Sequence, residues 1–284
     1  MSGKAVARKN IGIIGVGNIG SAILRGLLHA RRIGQICIYD IKRENLGPYT
    51  GESLPDLDSR VLLCASNTEV AERSDIIIVA VKPGEVYGVL EEIAPIITDE
   101  KVLVSVAAGI PTTVLERALG ASKKVIRVMP NIGALVGTSV TAVCRGTAAD
   151  DEAEAAAKEI FEAIGTVYSM NERDLDAVTG LSGSGIAFFA AVIEAMADGG
   201  LHEGLPHDLA LTIAAHTALG AATLILAGKD PAEIRYMTAS PGGTTIRGLH
   251  VLDTQGVKGA LIAAVIEATR RARELSGAPL SKEG

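Results

Sequence analysis

Two glycine-containing segments carry residue types that are suited to binding anionic ligands. Residues 240–245 read Ser-Pro-Gly-Gly-Thr-Thr, which offers exposed backbone N–H groups and hydroxyls with very little side-chain bulk. Such a turn can close around a small carboxylate. Much earlier in the chain, residues 15–20 read Gly-Val-Gly-Asn-Ile-Gly, a pattern typical of dinucleotide sites. Together the two segments indicate a protein that binds both a small anion and a dinucleotide.

The later segment precedes an amphipathic helical pattern that begins at residue 246. The N–H groups of Gly242, Gly243 and Thr244 would then lie at a helix N-terminus, where the helix dipole favours an anion. Thr245 adds a hydroxyl group. An ordinary helix cap would explain one Ser or Thr, but it would not explain Pro-Gly-Gly-Thr-Thr. We therefore expect these four residues to bind a small anion such as a carboxylate.

The earlier segment follows a strand-like apolar run and opens a helical pattern, which is the context that supports a dinucleotide-binding turn. Gly15 permits the tight turn, Gly17 lets the backbone approach the pyrophosphate, and Gly20 lets the helix and strand pack closely. Asn18 and Ile19 lie at the helix N-terminus, which faces the phosphates. The alternative, a glycine turn without a ligand, is disfavoured by this context.

The residues after the second predicted strand bear on the choice between NAD and NADP. Asp40 follows Gly20 by about 20 residues, where an acid accepts from the adenine-ribose 2′-hydroxyl and favours NAD. Lys42 and Arg43 follow at once and can pair with a 2′-phosphate, which favours NADP, or can simply face solvent. The two signals conflict, so both cofactors stay open.

Two further strand ends are expected to line the cofactor site, because ligands bind at the carboxyl ends of strands in such sheets. One is Ala80-Val81-Lys82-Pro83, and the other is Ala107-Ala108-Gly109, whose small residues leave room for a flat ring. Ordinary strand-to-helix turns are the alternative interpretation of both.

These motifs must be positioned by alternating strands and helices. Apolar, β-branched runs predict strands at 10–14, 36–39, 61–64, 76–81, 102–106, 125–128, 139–144 and 166–169. Helical patterns lie between them, at 18–30, 69–73, 85–97 and 112–119, and a further helix opens with Asp150, Asp151 and Glu152, whose carboxylates suit a helix N-terminus. This alternation predicts a Rossmann-like α/β domain with a parallel sheet covered on both faces.

After Met170 the strand patterns stop, and long Ala-rich helical patterns follow at 185–197, 209–227 and 257–275. These helices are apolar on nearly every side, and a small domain can hardly bury all of them alone. We therefore expect an all-α C-terminal domain that pairs with a second copy of itself. The predicted domains are residues 1–168, which bind NAD(P), and residues 169–284, which dimerise and bind substrate.

Composition excludes several other functions. The net charge of −6 and the lack of a basic stripe argue against a nucleic-acid partner. We expect no membrane span, since we identify no uncharged apolar run of sufficient length, and no signal peptide, so we expect a cytoplasmic protein. Cys37, Cys64 and Cys144 are far apart and lie in apolar runs, which indicates buried reduced thiols. No Cys-x-x-Cys or His-x-x-x-His pair occurs, and we predict no metal site.

The chain also resembles the 1-pyrroline-5-carboxylate reductase family. The matching segments lie at residues 14–20, 80–83, 105–110, 127–131, 179–185, 204–206 and 240–245, in the family's order. The resemblance implies a Rossmann-like domain followed by a helical domain that forms homodimers, often assembled further into decamers. It also implies that residues 242–245 hold the substrate carboxylate and that Thr245 approaches the ring nitrogen. By the same resemblance, Glu172 lies near the substrate and Asn67 lies near the cofactor ribose.

This sequence departs from the family pattern at Ile186, at Ile132-Gly133 and at residues 235–237, and these changes bear on substrate preference. The expected reaction is the NAD(P)H-dependent reduction of 1-pyrroline-5-carboxylate to L-proline, by hydride transfer to a cyclic iminium. Alternatives are a reductase of another cyclic imine, a β-hydroxyacid dehydrogenase-like enzyme and a non-catalytic NAD(P)-sensing subunit. Alcohol oxidation by a β-hydroxyacid dehydrogenase needs a general base, and that family places a lysine six residues after a helix-opening glycine. Counting six residues from Gly183 reaches Phe189, so the lysine is missing here.

Overall fold

The computed structural model describes residues 9–29, 33–49 and 59–277. Within these residues, eight strands form a single sheet in the order β3-β2-β1-β4-β5-β6-β7-β8. The strands are β1 (Ile11–Ile14), β2 (Ile36–Tyr39), β3 (Val61–Leu63), β4 (Ile76–Val79), β5 (Val102–Ser105), β6 (Lys124–Met129), β7 (Ser139–Arg145) and β8 (Gly165–Ser169). The predicted strands are therefore confirmed, with ends that differ by at most two residues from the expected ones.

The helices between and after the strands also follow the sequence pattern. They are α1 (Asn18–His29), α2 (Arg43–Leu46), α3 (Asn67–Arg73), α4 (Val86–Ile93), α5 (Thr112–Leu119), α6 (Asp151–Glu162), α7 (Glu172–Val178), α8 (Gly185–His202), α9 (His207–Leu226), α10 (Pro231–Thr238), α11 (Thr244–Thr254) and α12 (Val257–Ser276). The first helix was predicted to reach residue 30, which lies outside the described residues. At α6 the capping prediction is confirmed, because the Asp150 side chain accepts from the Ala153 N–H.

The last two strands, β7 and β8, run opposite to the other six, which differs from the expected parallel sheet. β7 is antiparallel to β6, whereas the other neighbouring strands are parallel. The connection from Met129 to Ser139 contains only a short 3₁₀ turn, Ile132–Val136, and a parallel crossover needs a dozen or more residues. The chain therefore reverses here.

Both faces of the sheet are covered, as predicted. Along β4, Ile76 and Ile78 pack into the core beneath α1 and α6, whereas Ile77 and Val79 pack into the core beneath α3, α4 and α5. All four side chains are fully buried, which explains why the strands are continuously apolar rather than alternating. The cysteine prediction is also confirmed, since all three thiols are reduced and buried.

The chain forms two compact units, and their limits differ from the predicted domain boundary at residues 168/169. One unit runs up to Gly183 and resumes at Ala268, and the other is Ser184–Glu267. The first unit extends past residue 168 because α7 packs on the sheet, with Leu175 buried against Ala142 and Cys144. The functional boundary at 168/169 stays a prediction.

The helical unit leaves much of its apolar surface uncovered in a single chain. Its buried cluster consists of small residues, Ala197 of α8 with Ala210 and Ala214 of α9. Large side chains on the same helices are exposed, such as Phe189 at 68% and Leu219 at 61%. This agrees with the expectation that these helices cannot be buried within one copy.

The expectation that the chain has no long uncharged apolar run is wrong for the C-terminal helices. By length and composition, Glu172–His202 and His207–Leu226 are apolar enough to cross a membrane, and α11 with α12 would make a third segment if the bent pair counted as one. α9 carries no Asp, Glu, Lys or Arg after Asp208. Its apolar length is hard to recognise because His216 and three threonines interrupt the pattern.

Candidate functional site

A cavity of about 340 Å³ lies at the carboxyl ends of β1, β2 and β4, in the size range of ligand pockets. It brings together seven of the predicted cofactor residues: Gly15, Gly17, Asp40, Asn67, Ala80, Val81 and Lys82. Parallel strands present their carboxyl ends at one edge of the sheet, so segments far apart in sequence converge here. The remaining predicted cofactor residues do not line this cavity: Asn18, Ile19, Gly20, Pro83, Ala107, Ala108 and Gly109.

The glycine-rich loop has the geometry that a dinucleotide requires. Gly15 has a φ of +91°, and a Cβ there would lie 2.9 Å from the Ala80 backbone, so only glycine fits. Gly20 packs directly against the Gly15 carbonyl, which brings α1 close to β1. At Gly17, by contrast, a Cβ would meet nothing within 4 Å. This open side of the loop lines the cavity beside the N-terminus of α1, where a helix favours an anionic group.

Asp40 is almost buried, at 8% exposure, and its carboxylate is already engaged by the chain. Oδ2 accepts from the Val16 N–H at 2.7 Å and from Asn45 Nδ2 at 2.9 Å, while Oδ1 accepts from the Lys42 N–H at 2.8 Å. The carboxylate therefore ties the glycine-rich loop to the turn after β2. Nearby, the exposed Lys42 side chain also lines the cavity and makes no ion pair with any described residue.

Asn67 begins α3 at the cavity wall, and its Nδ2 donates to Glu92 Oε2 at 2.8 Å. Ser66 caps the same helix by accepting from the Glu69 N–H. Sequence reasoning missed several lining residues, among them Ser66, Glu85 and Glu92. Only Ser66 carried a local signal, the Ser-x-x-Glu spacing typical of a helix N-terminus, although the Glu69 carboxylate accepts from the Ala65 N–H rather than from the Ser66 N–H.

The small residues after β5 lie elsewhere. Gly109 has a φ of +75°, and a Cβ there would lie 3.2 Å from Leu275 Cβ, so the end of α12 packs onto this loop. Ala107 is buried against the sheet. A role for these residues in cofactor binding stays a prediction.

Glu172, expected near the substrate, lies in a polar cluster at the N-terminus of α7. Its Oε1 accepts from the Thr112 N–H at 2.7 Å and from Arg127 Nη1 at 3.1 Å, and its Oε2 accepts from Thr112 Oγ1 at 2.7 Å. Arg127 Nη2 also lies 3.5 Å from Asp176 Oδ1. Burial raises the pKa of the neighbouring Cys144 thiol to about 11, and the Glu172 charge adds to this shift.

Residues 240–245 form a turn that leads directly into α11. The Gly243 N–H donates to the Ser240 carbonyl at 3.0 Å, and Gly242 has a φ of +70°, which a type II turn with Pro241 before it requires. Gly243 is the N-cap and provides no side-chain cap hydrogen bond, so the first N–H groups of α11 are left for another acceptor. The predicted turn is thus present at a helix N-terminus, and its ligand stays a prediction.

Comparison with known proteins shows which family the chain is similar to over nearly its whole length. Two protein-family models match the chain. The family described as pyrroline-5-carboxylate reductase dimerisation matches residues 172–275, and the family described as NADP oxidoreductase coenzyme F420-dependent matches residues 10–109. The pyrroline-5-carboxylate reductase of Methanosarcina acetivorans is 42% identical over 94% of this chain and 98% of its own length. The chain belongs to the pyrroline-5-carboxylate reductase family. The member from Pisum sativum is 40% identical over 94% of this chain and 96% of its own length.

Solved structures of the family agree with this fold. The enzyme from Coxiella burnetii has a TM-score of 0.86 at 29% identity, covering 94% of this chain and 98% of its own. The Plasmodium falciparum enzyme, solved with NADP bound, has a TM-score of 0.82 at 28% identity with the same coverage. The resemblance to this family and the Rossmann-like and helical fold class are therefore confirmed. The dimerisation match also supports oligomerisation through the helical unit.

The departures from the family pattern lie in three places. Ile186 is in the first turn of α8, and Ile132 begins the 3₁₀ turn after β6. Arg235 and Tyr236 line a groove between α10 and α11, and Tyr236 is 86% exposed. Their effect on substrate preference stays a prediction.

Proposed function

We propose that this protein catalyses 1-pyrroline-5-carboxylate + NAD(P)H + H⁺ → L-proline + NAD(P)⁺, as a cytoplasmic homodimer built through its helical unit. Family membership over nearly the whole chain supports an NAD(P)H-dependent oxidoreductase. The observation that carries the substrate assignment is the turn at residues 240–245, which ends at a helix N-terminus without a side-chain cap. In the proposed functional division, residues 1–168 bind the dinucleotide and residues 169–284 bind the imine and dimerise.

The proposed roles follow from the groups that each segment offers. The backbone of Gly242, Gly243 and Thr244 binds the substrate carboxylate, since helix N-termini favour anions. The Thr245 hydroxyl hydrogen-bonds the ring nitrogen and relays a proton from water. The bound dinucleotide supplies the hydride. A protonated imine carbon is already electrophilic, so orientation of the ring supplies much of the rate acceleration.

The cofactor site favours NADPH in this proposal. Both Asp40 oxygens already accept from protein donors, so the carboxylate is a poor acceptor for a ribose 2′-hydroxyl. Lys42 lines the same cavity, and its ammonium group can pair with a 2′-phosphate. A match to an NADP oxidoreductase model over residues 10–109 supports this preference.

The exposed apolar faces of α8 and α9 support a second copy of the chain as their partner, rather than a membrane. These helices lie within the matched dimerisation region, residues 172–275. Light scattering of the purified protein without detergent tests this, because a membrane protein would aggregate. The same measurement separates a dimer from the decamer that the family resemblance implies.

The activity is tested by following NADPH and NADH oxidation by the purified protein with 1-pyrroline-5-carboxylate. We expect saturable turnover with both and a higher kcat/KM with NADPH. A six-membered cyclic imine carboxylate serves as the competing substrate and tests the alternative imine. Tight NADPH binding without turnover of either imine would contradict the proposal and favour a non-catalytic subunit.

A further inference from the structure

One face of α7 carries two carboxylates that share a buried arginine. Glu172 and Asp176 are one helical turn apart, and both approach the guanidinium of Arg127 on β6, at 3.1 Å and 3.5 Å. The Arg127 side chain is only 4% exposed. A cation at this depth requires paired anions, so the two carboxylates are held in place by their shared partner.

Each carboxylate has a second partner on a different element. Glu172 accepts from both the N–H and the hydroxyl of Thr112, the first residue of α5. Pro111, the N-cap of α5, provides no side-chain cap, so Glu172 supplies the negative charge that this helix N-terminus favours. Asp176 Oδ2 accepts from Ser276 Oγ at 2.9 Å, at the end of α12.

These two partners flank one loop, residues 106–111, which joins β5 to α5. Thr112 ends the loop on one side. On the other side, Leu275 packs against Gly109, and Leu275 is the neighbour of Ser276 in the chain. The carboxylates on α7 therefore restrain both the end of the loop and the helix terminus that packs against its glycine.

We propose that Glu172 and Asp176 are positioning residues for this loop, acting through Thr112 and Ser276, and that Glu172 does not bind the substrate. The inference rests on the proposed function and on the prediction from the sequence that Ala107 and Ala108 line the cofactor site. Two observations oppose a substrate contact. Both Glu172 oxygens already have protein donors, and a carboxylate repels the carboxylate of the proposed substrate.

The test is a double-mutant cycle of Glu172→Gln and Thr112→Val. NADPH dissociation constants are measured by fluorescence titration without imine, and kcat and KM by steady-state assay. We expect each single variant to weaken NADPH binding and lower kcat by about tenfold, which is about 1.4 kcal/mol. The double variant should be no worse than the more severe single variant, because both variants disturb the contact between Glu172 and Thr112, whereas only Glu172→Gln also disturbs the ion pair with Arg127. KM for the imine should stay within about twofold of wild type, as for a group that does not touch it.

Asp150→Asn is the matched control, since it removes one charge from another helix N-terminus, that of α6, and should leave the NADPH dissociation constant, kcat and KM unchanged. A selective rise in the imine KM for Glu172→Gln, with Thr112→Val unchanged, would overturn the inference, as would wild-type behaviour of both variants. If Glu172→Gln does not fold, the inference is tested with Ser276→Ala instead. We expect this variant to bind NADPH more weakly than wild type, and unchanged NADPH binding would contradict the inference. NADPH binding tests the inference even if the wild-type protein does not reduce the imine, so the two proposals can fail separately.

Discussion

Asp40→Asn separates two roles for the acid at the end of β2. In the structure, Asp40 Oδ2 accepts hydrogen bonds from the Val16 N–H and from Asn45 Nδ2, and Asp40 Oδ1 accepts one from the Lys42 N–H. An asparagine oxygen can keep one of these two positions, but its amide group then faces an N–H donor at the other. The substitution therefore removes one charge-assisted hydrogen bond and leaves a backbone donor without an acceptor.

The cost is about 2 kcal/mol, from typical values for hydrogen bonds to charged groups. In a unit of this size that lowers Tm by roughly 4–8 °C. Because the carboxylate holds the glycine-rich loop, affinity for NADH and NADPH should fall together. We expect the ratio of kcat/KM for the two cofactors to stay within about twofold of wild type.

The assays are thermal unfolding without ligand and steady-state kinetics with each dinucleotide. Glu44→Gln is the control, since it removes the same charge from the exposed surface of α2 and should change neither Tm nor kinetics. If Asp40 instead binds the ribose 2′-hydroxyl, Asp40→Asn will impair NADH alone and leave Tm unchanged. That result would refute the loop-tethering role.

Three further predictions concern the cofactor, the substrate and the thiols. Lys42→Gln should lower kcat/KM with NADPH by about tenfold and leave NADH unchanged, and equal losses would remove the 2′-phosphate role. Thr245→Ala should lower kcat by roughly 10²-fold, with Thr245→Ser restoring much of it and the NADPH dissociation constant unchanged; unaltered turnover would exclude Thr245 from the mechanism. Burial raises the pKa of Cys64 from 9.0 to about 12 and that of Cys144 to about 11, so both should resist iodoacetamide at about pH 8 in the folded protein. Since the folded state keeps these protons, denaturant titrations should show stability falling as pH rises above 9.0, and rapid native-state alkylation would contradict the burial.

Local sequence was sufficient for the elements and for the glycine-rich loop. Gly15 must adopt a positive φ and Gly20 must touch the Gly15 carbonyl, and both demands arise within six residues of chain. Likewise, the apolar strands and long helices follow from periodicity, and the family motifs identified the fold and the reaction class. The excess of apolar residues on α8 and α9 is enough by itself to indicate a partner, because no arrangement of one small helical domain could bury it.

Tertiary structure decided what the polar side chains contact. Asp40 stands where a ribose-binding acid is expected, yet its donors come from Val16, in the glycine-rich loop, and from Asn45 in α2. Glu172 meets Thr112, which lies 60 residues earlier in the chain. Periodicity reports burial and local conformation, whereas a carboxylate's partners depend on which donors the packed sheet and helices bring within hydrogen-bonding distance. For the same reason, β7 could be recognised as a strand from its residues, but its antiparallel direction was fixed by the short connection from β6.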